Sequence, residues 1–220
     1  ATACGVAGII SGSITMTGLA NELINGIIAV SNNHLIIALF LTMLCCIVLG
    51  MGVPTTANYC IMAATCAPIL IRMGVPALAA HFFVFYFGIV ADITPPVALA
   101  AYAGSAIAKA NPMKTAFNAS RLAIAVFIVP YVFCFSPALL MIDTNAVEVI
   151  RIVITSFIGI FGVAAGLEGY LKKEMNPLQR VLFVAAGLML IFPSWITDIV
   201  GIVLIVAVII WQYAEAAKKA

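Results

Sequence analysis

Charge is what this sequence has least of. Only 8% of its 220 residues are Asp, Glu, Lys or Arg, while 65% are hydrophobic; a soluble domain holds roughly 25% charged residues. Between Glu22 and Arg72, 49 residues pass without one of these four, and between Arg121 and Asp143 there is none either. A soluble core helix of that length would need a very large protein around it, whereas about 20 apolar residues span a bilayer. The net charge of +2 is small and dispersed, which excludes the basic footprint of a nucleic-acid binder. Histidine is almost absent too, with His34 and His81 far apart. The six cysteines (Cys4, Cys45, Cys46, Cys60, Cys66 and Cys134) sit mostly in apolar runs and form no CxxC or other ligand spacing. They read as small buried apolar residues rather than a metal centre. No HExxH and no nucleophile–base pair occurs, so the chain is not expected to be an enzyme. With no ATP motif, ATP-driven pumping would need another subunit.

What is present is a series of apolar runs with mean hydropathy +1.23, punctuated by turn residues. The chain opens on ATACGVAGII, with no basic n-region or cleavage pattern, and reads as the middle of a longer protein. Residues 3–30 are apolar and rich in Gly and Ser, with a kink expected near Gly18. The stretch SNNH (31–34) is a link. An apolar run over 35–49 breaks at GMGVP and resumes over 55–71; another over 76–91 breaks at DITPP and continues to 108. Residues 120–140 form a spanning candidate that Pro130 and Pro137 should kink or shorten. IDTNAVE is an acidic turn, 147–168 the next span, and GYLKKEMNPLQR a charged loop. Two short runs complete the pattern, 181–192 and 196–211, around PSW. At 1.5 Å per residue the first is about 18 Å long, so the pair is either a re-entrant hairpin or a short tilted helix and then a full one. Lys109, Lys114 and Arg121, then Lys172, Lys173 and Arg180, then Lys218 and Lys219 all fall on the cytoplasmic side if 120–140 and 147–168 run up and down and the tail returns. IDTNAVE then faces outward.

The two breaks are the informative places. Lipid tolerates no unpaired backbone, so irregular chain at membrane depth must be buried in protein or line a wet cavity. The runs flanking GMGVP are short for full spans and read as the arms of a hairpin that dips in and returns. Gly50 and Gly52 permit dihedrals that other residues resist. Pro54 suits the first turn of the next helix, and Thr55 and Thr56 can cap its amides or face a ligand. At the second break Pro95 and Pro96 cannot both continue a helix, so the ladder must open around Ile93 and Thr94. Thr94 is then the expected cap of a helix starting at Pro95 or Pro96. A broken helix leaves free carbonyls at one end and free amides at the other. The carbonyl ends near 47–50 and 89–92 suit a sodium ion, for which Gly50, Asp92 and Thr94 are candidate ligands, mostly through backbone. The amide ends near 55–57 and 95–98 suit an anionic substrate group, as in the discontinuous helices of secondary transporters. A single such break is most simply a kink; two, each with Pro and Thr and each leading into a small-residue helix, point to a transport site.

Asp92 strengthens that reading, because a carboxylate at membrane depth is costly and functional by default. At the carbonyl end of a half-helix it needs a cation, a proton or a partner; the plainer alternative is a helix-end aspartate reaching a wet vestibule. Asn58 either faces the site or bonds across to another helix. His81 is expected to be an interhelical hydrogen-bond partner, HFFVFYF (81–87) core or lipid-facing packing, and Asp198 a cap or hairpin feature. SGS (11–13) is read as close helix packing.

At these residues the chain resembles a known family. LGMGVPTTANYCIMA (49–63), AAHFFVFYFGIVADITPPVALAAYAGSAIAKANPMKTAF (79–117) and CGVAGIISGSITMTGL (4–19) are similar to the C-terminal portion of the fused permease, the DctM-like large membrane subunit, of tripartite ATP-independent periplasmic (TRAP) transporters of the TAXI-associated type. The likeness covers most of the chain; its tail after about residue 145 looks like the extra C-terminal helices of those permeases. The resemblance implies an all-α polytopic membrane protein, half of an elevator-type ion transporter. Residues 1–117 would be a transport-domain half, with a re-entrant hairpin over about 35–71 and a broken helix over about 76–108. Residues 118–220 would be C-terminal transmembrane helices. Gly50, Gly52, Pro54, Thr55 and Thr56 match the hairpin tip, and Thr94, Pro95, Pro96 and Val97 the helix break; the dicarboxylate branch tends to have glycine where this chain has Ala98. The resemblance further implies import of a small organic anion (dicarboxylate, glutamate or 2-oxoglutarate-like) by sodium or proton symport across a prokaryotic inner membrane. Its partners would be a periplasmic TAXI-type substrate-binding protein, the lipid bilayer and the remaining N-terminal part of the permease with its small-subunit-like region. The competing reading is an ion-coupled carrier or antiporter that works without a binding protein.

Overall fold

The computed structural model describes residues 16–142, 144–192 and 194–217, together with Gly5, Gly8, Ile9 and residues 12–14. Expectations that rest on Cys4, Ser11, Asp143, Pro193, Lys218 and Lys219 fall outside these residues. Apart from one isolated bridge between Tyr170 and Glu174, the regular structure of the described residues is helical. The chain divides into two compact units, Ala1–Cys134 and Phe135–Ala220.

In the first unit, α1 (Leu19–Ser31) starts directly after Gly18, and the link expected at SNNH is made by Asn32 and Asn33 in left-handed conformation. Then come α2 (Leu35–Gly50), α3 (Thr55–Thr65) and α4 (Ala67–Arg72). The run over 55–71 is thus two helices, not one arm. Pro68 lies in the first turn of α4 and has no amide to donate to the preceding turn, while the Thr65 hydroxyl donates to the Ile61 carbonyl at 2.8 Å. Helix α5 (Ala77–Val90) runs into a 3-10 turn (Ala91–Ile93), after which the chain is irregular until α6 (Leu99–Ala108). The second half-helix therefore begins at Leu99 and not at Pro95 or Pro96. Prolines can occupy a first helical turn, but here Ala98 precedes the helix in left-handed backbone, φ 30°, and holds the turn open until Leu99.

Residues 120–140 are not one straight span. Helices α7 (Pro112–Leu122) and α8 (Ile124–Phe135) meet at Ala123 with a 43° bend, and a 3-10 turn (Pro137–Leu140) comes next. Pro130 lies inside α8 without ending it. The bend falls where the sequence changes from the polar PMKTAFNASRL to the apolar IAVFIVPYVFCF, so an amphipathic helix gives way to one that is apolar all round. Helix α8 packs on α5: the Phe83 ring lies 4.8 Å from Phe87 and 5.4 Å from Tyr131, edge to face. Phe83 and Phe87 are fully buried while Phe82 is partly exposed, so the core-packing role expected of HFFVFYF is met along one face.

The second unit contains α9 (Ala146–Glu168), α10 (Pro177–Ile191) and α11 (Trp195–Ala217). Here the tail resolves into a short helix and then a long one. α9 and α11, over Trp195–Ala214, are long and apolar enough to cross a membrane, and the bent α7–α8 pair makes a third if it counts as one span. Glycines set the packing of this unit. A Cβ on Gly187 would stand 2.5 Å from the Gly159 carbonyl oxygen and 2.8 Å from the Val163 amide nitrogen, so α9 and α10 touch backbone to backbone. Arg180 closes the end of α9, donating from Nε to the Gly166 carbonyl (3.1 Å) and from Nη2 to the Leu167 carbonyl (2.7 Å).

Candidate functional site

Helix α2 runs apolar until Gly50, its last residue, and the chain then turns through Gly52 at φ +73°. A β-carbon would strain that left-handed conformation. Pro54 stands immediately before α3, and Thr55 and Thr56 are its first two residues, exposed and without a side-chain cap bond. Gly50 itself is helical, and its glycine is needed for another reason. A Cβ there would meet Asn58 Nδ2 at 2.8 Å, the Ala91 Cβ at 2.9 Å and the Gly88 carbonyl oxygen at 3.1 Å. Gly88 faces the same side chain, with Asn58 Nδ2 3.1 Å from where its Cβ would be. The first break is therefore pressed directly against the second.

Asn58 joins them. It is 1% exposed, and its Nδ2 donates to the Gly88 carbonyl at 3.1 Å across 30 residues of sequence. Its Oδ1 is buried with no hydrogen-bond partner among the described residues. Of the two roles the sequence allowed Asn58, the bond to another helix is therefore made. Two helix ends with partial negative charge, the last turn of α2 and the last turn of α5, converge on this amide. Asp92 comes next in the 3-10 turn, half-buried and without an ion pair among the described residues.

Thr94 does not cap the second half-helix. Its hydroxyl donates backward to the Val90 carbonyl at 2.7 Å, closing the end of α5, and among the described residues no side chain caps α6. The hydroxyl is within reach of that carbonyl, four residues earlier, while α6 does not begin until five residues later. The Pro95–Pro96 peptide is cis, Pro96 is exposed and Val97 half-buried. The free amides of this break consequently lie near Leu99–Ala101, in the first turn of α6, rather than at 95–98. Tyr102 Oη donates back to the Pro96 carbonyl. Ser120 on α7 donates to the Ile93 carbonyl at 2.9 Å.

Gly50, Asn58 and the 88–92 segment are thus brought together. Thr55 and Thr56 make no hydrogen bond with 92–97 among the described residues. Sequence reading missed Gly88, Ala91 and Ser120. A lone glycine late in an apolar helix is a signal that could have found Gly88, but a serine on α7 gave no sign that it reached the break 27 residues earlier. His81 on α5 is the interhelical partner expected, 3.1 Å through Nδ1 from Tyr59 Oη on α3. None of the break residues lines the concavity of about 260 Å³ formed by Tyr59, Leu78, His81, Phe82 and Phe85; the second unit has one of about 460 Å³ around Arg151 and Trp195. Among the described residues no three His, Cys, Asp or Glu gather as a metal site. The cysteines Cys45, Cys46, Cys60, Cys66 and Cys134 are free thiols.

The two helix breaks and the buried amide between them lie within a stretch that a family comparison matches. Residues 1–147 match the family model described as "Tripartite ATP-independent periplasmic transporter, DctM component". The chain belongs to the DctM family. It is accordingly a permease component of a TRAP transporter and not an enzyme. No curated protein matches the chain, and no solved structure does.

The match also corrects the resemblance drawn from sequence. It covers residues 1–147 and not the C-terminal portion of the chain, and it supports the DctM component in general, not the TAXI-associated type. Residues beyond 147 are apolar helices with glycine contacts, a pattern that any packed membrane helix shows, so their likeness carried no family information. The break motifs lie wholly within the matched residues.

Proposed function

We propose that this DctM-family chain imports a small organic anion of the dicarboxylate, glutamate or 2-oxoglutarate kind by symport with sodium or protons. It does so in the cytoplasmic membrane of a prokaryotic cell, receiving its cargo from a periplasmic binding protein. In this reading residues 1–117 belong to an elevator-type transport domain, and 118–220 supply C-terminal transmembrane helices.

The observation that supports it most is the clasp at Asn58. Two carbonyl-rich helix ends meet there, Asp92 follows Ala91 of the contact in the chain, and Asn58 Oδ1 is buried with no partner among the described residues. An unsatisfied buried oxygen costs about 1–3 kcal/mol, which a hard cation held by oxygen donors offsets. The coupling ion accordingly belongs at Gly50, Asn58, Asp92 and Thr94. The anion belongs at the amide ends of α3 and α6, where Gly52, Pro54, Thr55 and Thr56 on one side and Pro95, Pro96 and Val97 on the other shape the approach.

The test is uptake by the intact permease, with its binding protein, in proteoliposomes. A labelled dicarboxylate or glutamate is followed while a sodium gradient is imposed or collapsed, with Asn58→Ala and Thr94→Ala beside the parent. Uptake that needs both sodium and the binding protein, and that falls on the order of tenfold in Asn58→Ala, the equivalent of a lost buried hydrogen bond, supports the proposal. Uptake that persists without the binding protein points instead to an independent ion-coupled carrier. Unchanged uptake in both variants makes the breaks architecture alone.

A further inference from the structure

The second unit holds a concavity, largely apolar but with Glu148 and Arg151 on its wall, that the transport reading does not use. It lies where the first turns of α9 and α11 adjoin, has a volume of about 460 Å³, and is lined by Asn145, Val147, Glu148, Arg151 and Trp195. At 23 residues α9 is about 34 Å long against roughly 30 Å of hydrocarbon, so its first turns stand at the headgroup border. Side chains on a helix lean toward its N-terminus, which aims Arg151 outward to that border. The lysine and arginine loop at Lys172, Lys173 and Arg180 is at the other end of α9 and marks the cytoplasmic side. The concavity therefore opens to the outer leaflet.

The guanidinium is held but not used up. Arg151 Cζ lies 4.3 Å from the centre of the Trp195 ring, and its Nη1 stands 3.8 Å from Asp198 Oδ2, an ion pair too long for a hydrogen bond. Among the described residues the buried Nε and Nη1 have no hydrogen-bond partner, nor has the buried Asp198 Oδ1, and the Arg151 side chain as a whole keeps 18% of its surface exposed. Glu148 sits on the same wall, with Oε2 accepting from the Thr144 hydroxyl at 3.2 Å. One arginine against two carboxylates disfavours a bare anion. It fits a molecule with an acceptor-rich phosphate and a hydrogen-bonding cation a few bonds apart. Exposed Ile154 on α9, and Ile199 and Val203 on α11, give acyl chains an apolar wall below, and the exposed Trp195 is an interfacial residue by type.

We propose that this concavity is a binding site for the headgroup of a phosphoethanolamine lipid of the outer leaflet. Arg151 takes the phosphate, Glu148 accepts hydrogen bonds from the primary ammonium, and Trp195 flanks the glycerol region. A trimethylated choline headgroup keeps the charge and has no N–H to give, so the site discriminates between two lipids of equal net charge.

The experiment equilibrates the intact permease with vesicles of equimolar phosphatidylethanolamine, phosphatidylcholine and phosphatidylglycerol and measures the lipids retained after purification by mass spectrometry. The expected result is retention of phosphatidylethanolamine over phosphatidylcholine by about two- to fivefold, the range of one half-exposed ion pair. Glu148→Gln abolishes that preference, and Arg151→Gln lowers retention of both zwitterionic lipids. Equal retention of the two in the parent, a preference for phosphatidylglycerol, or a preference unchanged by Glu148→Gln overturns the proposal. If Arg151→Gln does not yield folded protein, the Glu148→Gln comparison decides alone.

Discussion

The two units use glycine for opposite ends. In the first, Gly50 and Gly88 make room for a polar side chain, Asn58, which ties one interrupted helix to another. In the second, Gly159 and Gly187 make room for backbone itself, and α9 and α10 close on each other with nothing between. The first unit leaves irregular backbone at Met51–Pro54 and Thr94–Ala98; side chains of Thr94, Ser120 and Asn58 take up carbonyls of the turns leading into the second stretch, and Tyr102 takes up one within it. The second keeps its ladders whole and caps one end with Arg180. Similar apolar composition thus gives one region with interrupted helices joined by a polar side chain and another of uninterrupted helices packed backbone to backbone.

That contrast breaks most visibly at Gly187. A methyl group there collides with the Gly159 carbonyl and the Val163 amide, neither of which can swing aside. Gly187→Ala should destabilise the α9–α10 pair by about 2–3 kcal/mol, read as a lower midpoint of thermal unfolding in detergent, while uptake per folded molecule stays at the parental level. Asn58→Ala should do the reverse. It costs about 1–2 kcal/mol of stability by orphaning the Gly88 carbonyl, and uptake per folded molecule drops far more than the folded yield. Equal loss in both readouts would erase the distinction between the units.

Smaller effects sharpen it. Arg180→Ala strips two donors from the last carbonyls of α9 and should lower stability by about 1 kcal/mol, with hydrogen exchange rising at the C-terminal turn of α9 and not at its start. Ala98→Gly is expected to go the other way. A non-glycine residue at φ 30° costs about 1–2 kcal/mol, partly offset by the packing of its buried methyl beside Ala101 and Ala116. A net gain of a few tenths to about 1 kcal/mol should appear as a raised unfolding midpoint.

Much of this is legible in the sequence because it is local. Gly52, Pro54, Pro95 and Pro96 remove donors or demand unusual dihedrals wherever they fall, so both breaks can be placed from sequence to within a few residues. The start of α6 cannot, since a proline pair is compatible with a first helical turn and only the left-handed Ala98 moves the start to Leu99. Capping residues usually serve the helix ahead, the role expected of Thr94, but its hydroxyl serves the helix behind. The bend at Ala123 has no proline or glycine to announce it, and Pro130, where a kink is expected, sits within a continuing helix. Gly50 is needed for close approach to Asn58 and not for the unusual dihedral that its residue type suggests.

By itself the sequence determined that the chain belongs in lipid and that two helices open near residues 51 and 94. Charge scarcity and proline chemistry act on each segment regardless of its neighbours. Only tertiary structure decided that the two openings meet, that Asn58 rather than a threonine joins them, and that Ser120 takes up a carbonyl of the second. Those contacts span 27 to 30 residues, and at that separation a hydrogen bond is chosen by which backbones approach closely enough, which glycine permits but does not specify.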